Sequence, residues 1–215
     1  MNFEQSLRGG LQSLDLQLSD AQITQLLTFA ELLHKWNKVY NLTALRSQDE
    51  MLTHHLLDSL AVVPALQRHL EGPGGRAGQR LLDVGSGGGL PGVVFAICCP
   101  QLDVSCVDTV AKKAAFIQQA AAVLGMKNLH GIHARVESLA GPFDVISCRA
   151  FAALADFTAW SLQALAEDGV WLAMKGKRPQ NEIAALPAEV QMFHVEPLAV
   201  PGLDAERCIV WMRRS

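Results

Sequence analysis

The chain has 215 residues, 50% of them hydrophobic and 18% charged, with a net charge of −3 and a pI near 6.1. That length suits one domain with an elaboration and buries roughly 70% of the unfolded surface, so no disulfide or metal staple is needed. The balance is that of an ordinary soluble globular protein and excludes a globally basic nucleic-acid binder; any nucleic-acid surface must be local. The five cysteines (Cys98, Cys99, Cys106, Cys148 and Cys208) form no Cys-x-x-Cys pair and no metal-ligand spacing. They read as small buried residues in a reducing cytoplasm, and no metal is expected. No apolar run reaches membrane-spanning length and no signal pattern opens the chain, so a cytoplasmic protein without a membrane partner is expected.

Residues Asn2–Leu70 read as helical. Ser19-Asp20-Ala21-Gln22 is a capping box, and Ile23, Leu26, Leu27, Ala30, Leu33 and Tyr40 follow at helical spacing. A second box, Ser47-Gln48-Asp49-Glu50, opens a helix with Met51, Leu52, Leu56, Leu60 and Val63 on its apolar face. Between them lies an aromatic and basic joint, Lys35–Thr43, followed by Arg46. Gly72–Gly78 is the clearest linker, dividing a helical extension (1–71) from the rest (72–215).

Beyond it, strand and helix patterns alternate. Arg80–Val84, Val104–Val107, Leu129–His133, Phe143–Ser147 and Val170–Met174 read as strands, with helices over Ala111–Leu124 and Leu154–Leu165. Gln191–Leu198 and Arg207–Met212 flank Pro201-Gly202 and read as an antiparallel pair. About seven strands, mostly in β-α-β order, predict an α/β fold with an open, mostly parallel sheet.

The informative stretch is Arg80–Cys99, RLLDVGSGGGLPGVVFAICC, a strand, a glycine turn and a helix. Gly85, Gly87 and Gly89 permit positive φ and close backbone approach, and the helix starting near Pro91 turns its free N–H groups toward the strand ends, where ligands bind. Gly87-x-Gly89-x-x-Gly92 formally matches the dinucleotide fingerprint, which keeps an NAD(P)-dependent oxidoreductase as an alternative. That frame does not begin at the strand end, and Pro91 falls inside it. The strand-end frame, Asp83-x-Gly85-x-Gly87-x-Gly89, resembles S-adenosylmethionine-dependent methyltransferases. Asp108 ends the second strand, where a carboxylate accepts from ribose hydroxyls of either cofactor; its bland reading is a helix cap. Glu137, beside Val136 after the third strand, suits an adenine amino group or is a solvated loop carboxylate.

At the later strand ends, Cys148 lacks the neighbours of a cytosine-methylating nucleophile, and no Asn/Asp-Pro-Pro-Tyr motif for an exocyclic amine is present. Arg149 and Lys175 stand there instead, as groups for substrate or phosphate or as structural cations. An acceptor such as guanine N7, with a free lone pair, needs no general base. His54-His55-x-x-Asp58 reads as a polar helix contact or a substrate-facing pair. Lys35, Lys38, Arg46, Lys175, Lys177 and Arg178 are the candidate local basic surface of an otherwise acidic chain.

Taken together, Leu33–Lys38, Tyr40-Asn41-Leu42-Thr43, His55-x-x-Asp58-Ser59, DVGSGGGLPG, Ser147-x-Arg149-Ala150-Phe151 and Met174-Lys175-Gly176 resemble the RsmG/GidB family, nearly end to end. The family consists of bacterial 16S rRNA guanine-N7 methyltransferases. The resemblance implies a Rossmann-like class I methyltransferase with S-adenosylmethionine as donor and a guanine of the small-subunit decoding-region loop as acceptor. It further implies that Gly85, Leu90, Val136, Glu137 and Arg149 bind the cofactor, with Asp108 on the ribose. Ser86 and Gly88 depart from the Gly-Thr-Gly-Pro-Gly form of the family. The full expected cofactor set is Asp83, Gly85, Ser86, Gly87, Gly89, Leu90, Asp108, Val136, Glu137 and Arg149, with Arg149 and Lys175 as catalytic candidates. A monomer that acts on 16S rRNA or the small subunit is expected; a non-catalytic cofactor-binding module is the other alternative.

Overall fold

The computed structural model describes residues 2–42, 47–72 and 78–215. Arg46 and residues 73–77 of the expected linker lie outside the described residues. The extension comprises α1 (Phe3–Ser13), α2 (Asp20–Tyr40), α3 (Gln48–Met51), a π-helical turn (Leu52–Leu57), α4 (Asp58–Leu60) and α5 (Val63–Glu71). Both capping boxes form: Ser19 Oγ accepts from Gln22 N–H at 3.3 Å and Ser47 Oγ from Glu50 N–H at 3.1 Å. α2 ends where Asn41 adopts a left-handed φ of 51°, its N–H returning to Asn37 O at 3.1 Å.

The remainder is β1 (Arg80–Val84), α6 (Gly92–Cys98), β2 (Asp103–Asp108), α7 (Ala111–Val123), β3 (Leu129–His133), a 3-10 turn (Val136–Ser138), β4 (Phe143–Arg149), α8 (Leu154–Ser161), β5 (Leu165–Lys175), α9 (Gln180–Ala184), β6 (Val190–Leu198) and β7 (Arg207–Arg214). They build one seven-stranded sheet in the order β3-β2-β1-β4-β5-β7-β6. Strands β1 to β5 pair in parallel, while β7 pairs antiparallel with β5 and β6. The order reverses between β1 and β4, which opens a crevice at the carboxyl ends of the strands.

Strand alternation divides the core. Leu81, Val104, Val145 and Leu172 face the side covered by the extension, α6 and α7, while Leu82, Val84, Ile146 and Trp171 face α8. Leu7, Leu26, Phe29, Leu33 and Leu56 of the extension are fully buried in the same cluster as α6 and α7. Each such side chain contributes about 1.5–3 kcal/mol.

The structure corrects the helix expected over Leu154–Leu165. α8 stops at Ser161, whose Oγ bonds Phe157 O at 2.6 Å and accepts from the Trp171 indole N–H at 2.9 Å. The chain then turns, and Leu165 enters β5 opposite Phe143. Apolar residues continue across this turn, so periodicity alone carried the helix too far.

Candidate active site

A cavity of about 430 Å³ lies at the carboxyl ends of β1 and β2. Gly85, Asp108, Val136 and Glu137 line it, as their positions in the chain predict. Lys113, Val110, Phe151 and Trp160 complete its walls and were not foreseen as site residues. Gly85 and Gly87 adopt φ of 66° and 57°. A Cβ on Gly85 would run into the Phe151 ring, so glycine here lets an aromatic wall close onto the turn. Phe151 meets Trp160 edge-on with ring centroids 5.8 Å apart.

Asp108 is 6% exposed. Its Oδ2 accepts from Gly87 N–H at 3.0 Å and lies 3.5 Å from Lys113 Nζ, and its Oδ1 accepts from Val110 N–H at 2.9 Å. Thus the carboxylate ties down the turn before α7, through Val110 N–H, and stands at the cavity. The helix-cap reading of Asp108 is not met, because Val110 is the N-cap of α7 and no side chain caps it.

Asp83 requires correction. It is fully buried behind the glycine turn, where Oδ2 accepts from Gly92 N–H at 3.0 Å and Oδ1 from Ser147 Oγ at 2.9 Å. Its oxygens are therefore directed into the β1–β4–α6 junction and away from the cavity. Burial pushes this carboxyl up to about 7, against the opposing pull of those two hydrogen bonds. Gly92, which closes the rival dinucleotide frame, is a packing glycine: a Cβ there would collide with Cys106 Sγ, and its N–H is already taken. Ser86, Gly89 and Leu90 are buried in the turn itself, with Gly89 and Leu90 N–H both directed to Ser86 O.

Arg149 ends β4 and reaches into the extension rather than the cavity. Its Nη1 donates to Asp58 Oδ2 at 3.1 Å and to His54 O at 3.2 Å. Arg207, at the start of β7, donates from Nε to the other Asp58 oxygen at 2.8 Å. Asp58 is 3% exposed, so one buried carboxylate joins two guanidiniums from strands that chain order keeps far apart. His55 Nδ1 lies 3.0 Å from His54 O and 3.5 Å from Arg149 Nη2. Burial, with Arg149 beside it, pushes this imidazole down to about 4, so it is neutral near pH 7.

Lys175 ends β5, and Nζ donates to Ala152 O at 3.0 Å and to Glu182 Oε2 at 2.7 Å. The same Glu182 oxygen accepts from Leu154 N–H at 2.8 Å. Lys177 and Arg178 are exposed beyond it and line an open polar hollow of about 850 Å³. Lys35 and Lys38 are exposed at the other flank of the sheet, on α2. Cys148 is buried and its thiol is pushed upward by burial, which is unfavourable for a thiolate nucleophile. Among the described residues there is no group of three or more His, Cys, Asp or Glu placed to hold a metal, and no helix long and apolar enough to cross a membrane.

The donor set fits S-adenosylmethionine. Asp108 would offer its carboxylate to ribose hydroxyls, and Val110, Val136 and Phe151 would offer apolar walls to adenine. The family model "GidB: rRNA small subunit methyltransferase G" matches residues 22–210. The chain is 75% identical to "Ribosomal RNA small subunit methyltransferase G" of Acidovorax sp. (strain JS42), over 99% of this chain and 96% of that protein. It is 70% identical to the protein of the same name from Paracidovorax citrulli (strain AAC00-1), over 96% and 88% of the two chains. The magnesium protoporphyrin IX methyltransferase structure from Synechocystis PCC 6803, solved with bound SAM, shares the fold at 15% identity, with a TM-score of 0.56 over 92% of this chain and 98% of that one. The chain belongs to the GidB family, rRNA small subunit methyltransferase G, and is an S-adenosylmethionine-dependent methyltransferase.

Proposed function

We propose that this protein transfers the methyl group of S-adenosylmethionine to N7 of a guanine in the decoding-region loop of 16S rRNA, as a cytoplasmic monomer. The observation that carries the reading is the cavity at the β1–β4 crevice, with the Asp108 carboxylate on one wall and the Phe151 ring on the other, in a chain of this family. Bound there, S-adenosylmethionine supplies an electrophilic methyl group on a positively charged sulfur. Asp108 holds the ribose hydroxyls, and Val136 and Glu137 meet the adenine edge. Gly85, Gly87 and Gly89 shape the turn at the methionine end, with Ser86 and Leu90 fixing it from behind.

Arg149 and Lys175, the catalytic candidates, are each held by a carboxylate, Asp58 and Glu182, and so act on the acceptor side by setting the segment between β4 and α8. N7 of guanine carries a lone pair and no proton: as the N–C bond forms the C–S bond breaks, neutral S-adenosylhomocysteine leaves, and no base has to remove a proton. Alignment is then the main contribution, worth about 7–11 kcal/mol when reacting atoms are held in line. Lys35, Lys38, Lys177 and Arg178 meet phosphates on either flank of the crevice, and their joint replacement lowers the salt dependence of RNA binding.

Small subunits lacking the modification, incubated with protein and S-adenosylmethionine, provide the test. Borohydride and aniline cleave RNA at 7-methylguanosine, and cleavage is expected at one guanine of the decoding-region loop. Methylated RNA that resists cleavage there overturns the N7 assignment.

A further inference from the structure

The end of α2 carries an aromatic feature that the methyl-transfer site does not use. Tyr40 is the last residue of the helix and 42% exposed, and Val39 beside it is 69% exposed. The Tyr40 ring packs on Trp36 with centroids 4.9 Å apart, and Trp36 in turn packs on Phe116 of α7 at 5.4 Å. One face of Tyr40 is thus backed by a fixed aromatic column. Lys35 and Lys38, one on each side of Trp36 in the chain, are both exposed.

The direction of α2 puts this feature at the working edge of the sheet. Near its start, Gln22 Nε2 donates to Ile97 O at 2.8 Å and Gln25 Nε2 to Leu124 O at 3.0 Å, both at the carboxyl-terminal ends of α6 and α7. α2 therefore runs opposite to α6 and α7, and hence upward with β1 and β2. Trp36 has climbed to the level of Phe116, and Tyr40 lies four residues further, a rise of about 6 Å. The same rise along α7 leads from Phe116 back to its first turn, where Lys113 lines the cofactor cavity. Tyr40 consequently stands at the level of the cavity mouth, about one helix spacing from α7.

We propose that Tyr40, backed by Trp36 and flanked by Lys35 and Lys38, is a stacking platform for an unpaired RNA base that flanks the methylated guanine. The inference rests on the rRNA methyltransferase reading and names a substrate contact for it. Single-stranded RNA is recognised by aromatic faces that accept a base, with cations beside them for the backbone. The left-handed cap at Asn41 ends the helix immediately after Tyr40 and leaves that residue at its tip. A ring held on a second ring loses little freedom when a base is laid on its open side.

Tyr40 is the only tyrosine in the chain, so the full-length protein labelled with 3-fluorotyrosine has one fluorine resonance. That resonance is expected to shift when a protein-free RNA fragment containing the decoding-region loop is added, and to stay in place when S-adenosylhomocysteine alone is added. In parallel, Tyr40→Leu is expected to raise KM for the RNA substrate about 5- to 100-fold, the effect of losing one base stack. kcat and affinity for S-adenosylhomocysteine should be retained, and Tyr40→Phe should restore the parent KM. A resonance unmoved by bound RNA, or moved only by intact subunits with their proteins, overturns the proposal, as does an unchanged KM in Tyr40→Leu. Failure of the parent protein to methylate RNA would instead overturn the functional reading and the proposal with it. If methylation proceeds normally in Tyr40→Leu, the proposal alone falls.

Discussion

At the scale of single residues, Asp83 and His55 have opposite effects on stability across one pH range. Burial pushes the Asp83 carboxyl up to about 7 and the His55 imidazole down to about 4. In the unfolded chain they titrate near their ordinary values, about 4 and 6.5. Between these limits the folded state keeps a proton on Asp83 that the unfolded chain has released. The contribution of that carboxyl is therefore full at low pH and is lost as pH rises toward 7. The folded state lacks the proton that unfolded His55 carries, so the imidazole's contribution grows from about pH 4 to 6.5. Asp83→Asn keeps an oxygen for Gly92 N–H and is expected to give a Tm that climbs more steeply with pH than the parent's. His55→Asn should shift the slope the other way, and two profiles superimposable on the parent's contradict both assignments. The inward role of Asp83 was partly legible in the sequence: alternation along β1 sets Leu82 and Val84 on one face and Asp83 on the other, toward α6. Its place within the glycine motif pointed to the cofactor instead.

At the scale of elements, the decisive piece is the segment joining β4 to α8. Ala150 has a left-handed φ of 50°, a conformation that costs a non-glycine residue about 1–3 kcal/mol and persists where neighbours enforce it. The neighbours are identifiable. Arg149 is held by Asp58 and His54 O, Ala152 O by Lys175, and Leu154 N–H by Glu182, so the segment that presents Phe151 to Gly85 is braced at three points. Glu182 thereby acts as a positioning residue, through Lys175 and the start of α8. Glu182→Ala is expected to lower kcat for RNA methylation about ten-fold or more, the scale of losing a hydrogen bond to a charged group. S-adenosylhomocysteine affinity should change less than two-fold, and an unaltered kcat would refute the brace. The strands flanking this segment were legible because parallel strands covered on both faces are short, continuous apolar runs. Neither Glu182 nor the strained Ala150 has such a signal: both follow from how β5 and α9 return to the segment in space.

At the scale of the whole molecule, Asp58 is the most buried of the polar links that join the extension to the sheet. Asp58 binds Arg149 from β4 and Arg207 from β7, and the apolar faces of α1, α2 and α5 share the core of α6 and α7. Removing it leaves two partly buried guanidiniums without their counter-charge. Asp58→Ala is expected to destabilise the protein by about 3–5 kcal/mol in urea unfolding, and a loss below about 1 kcal/mol would contradict this linkage. The His55-x-x-Asp58 spacing reads in the sequence as a polar helix contact or a substrate-facing pair, and the partners of Asp58 lie 91 and 149 positions away, where only the folded chain brings them together. The sheet order then brings the donor cavity, the braced segment and the cationic flanks to one edge. Incubating small subunits lacking the modification with protein and radiolabelled S-adenosylmethionine, followed by nucleoside analysis of the RNA, tests the methyl transfer most directly. The expected result is label in 7-methylguanosine, with transfer sharply reduced in Asp108→Ala; label in protein, in small molecules or in another nucleoside would contradict it.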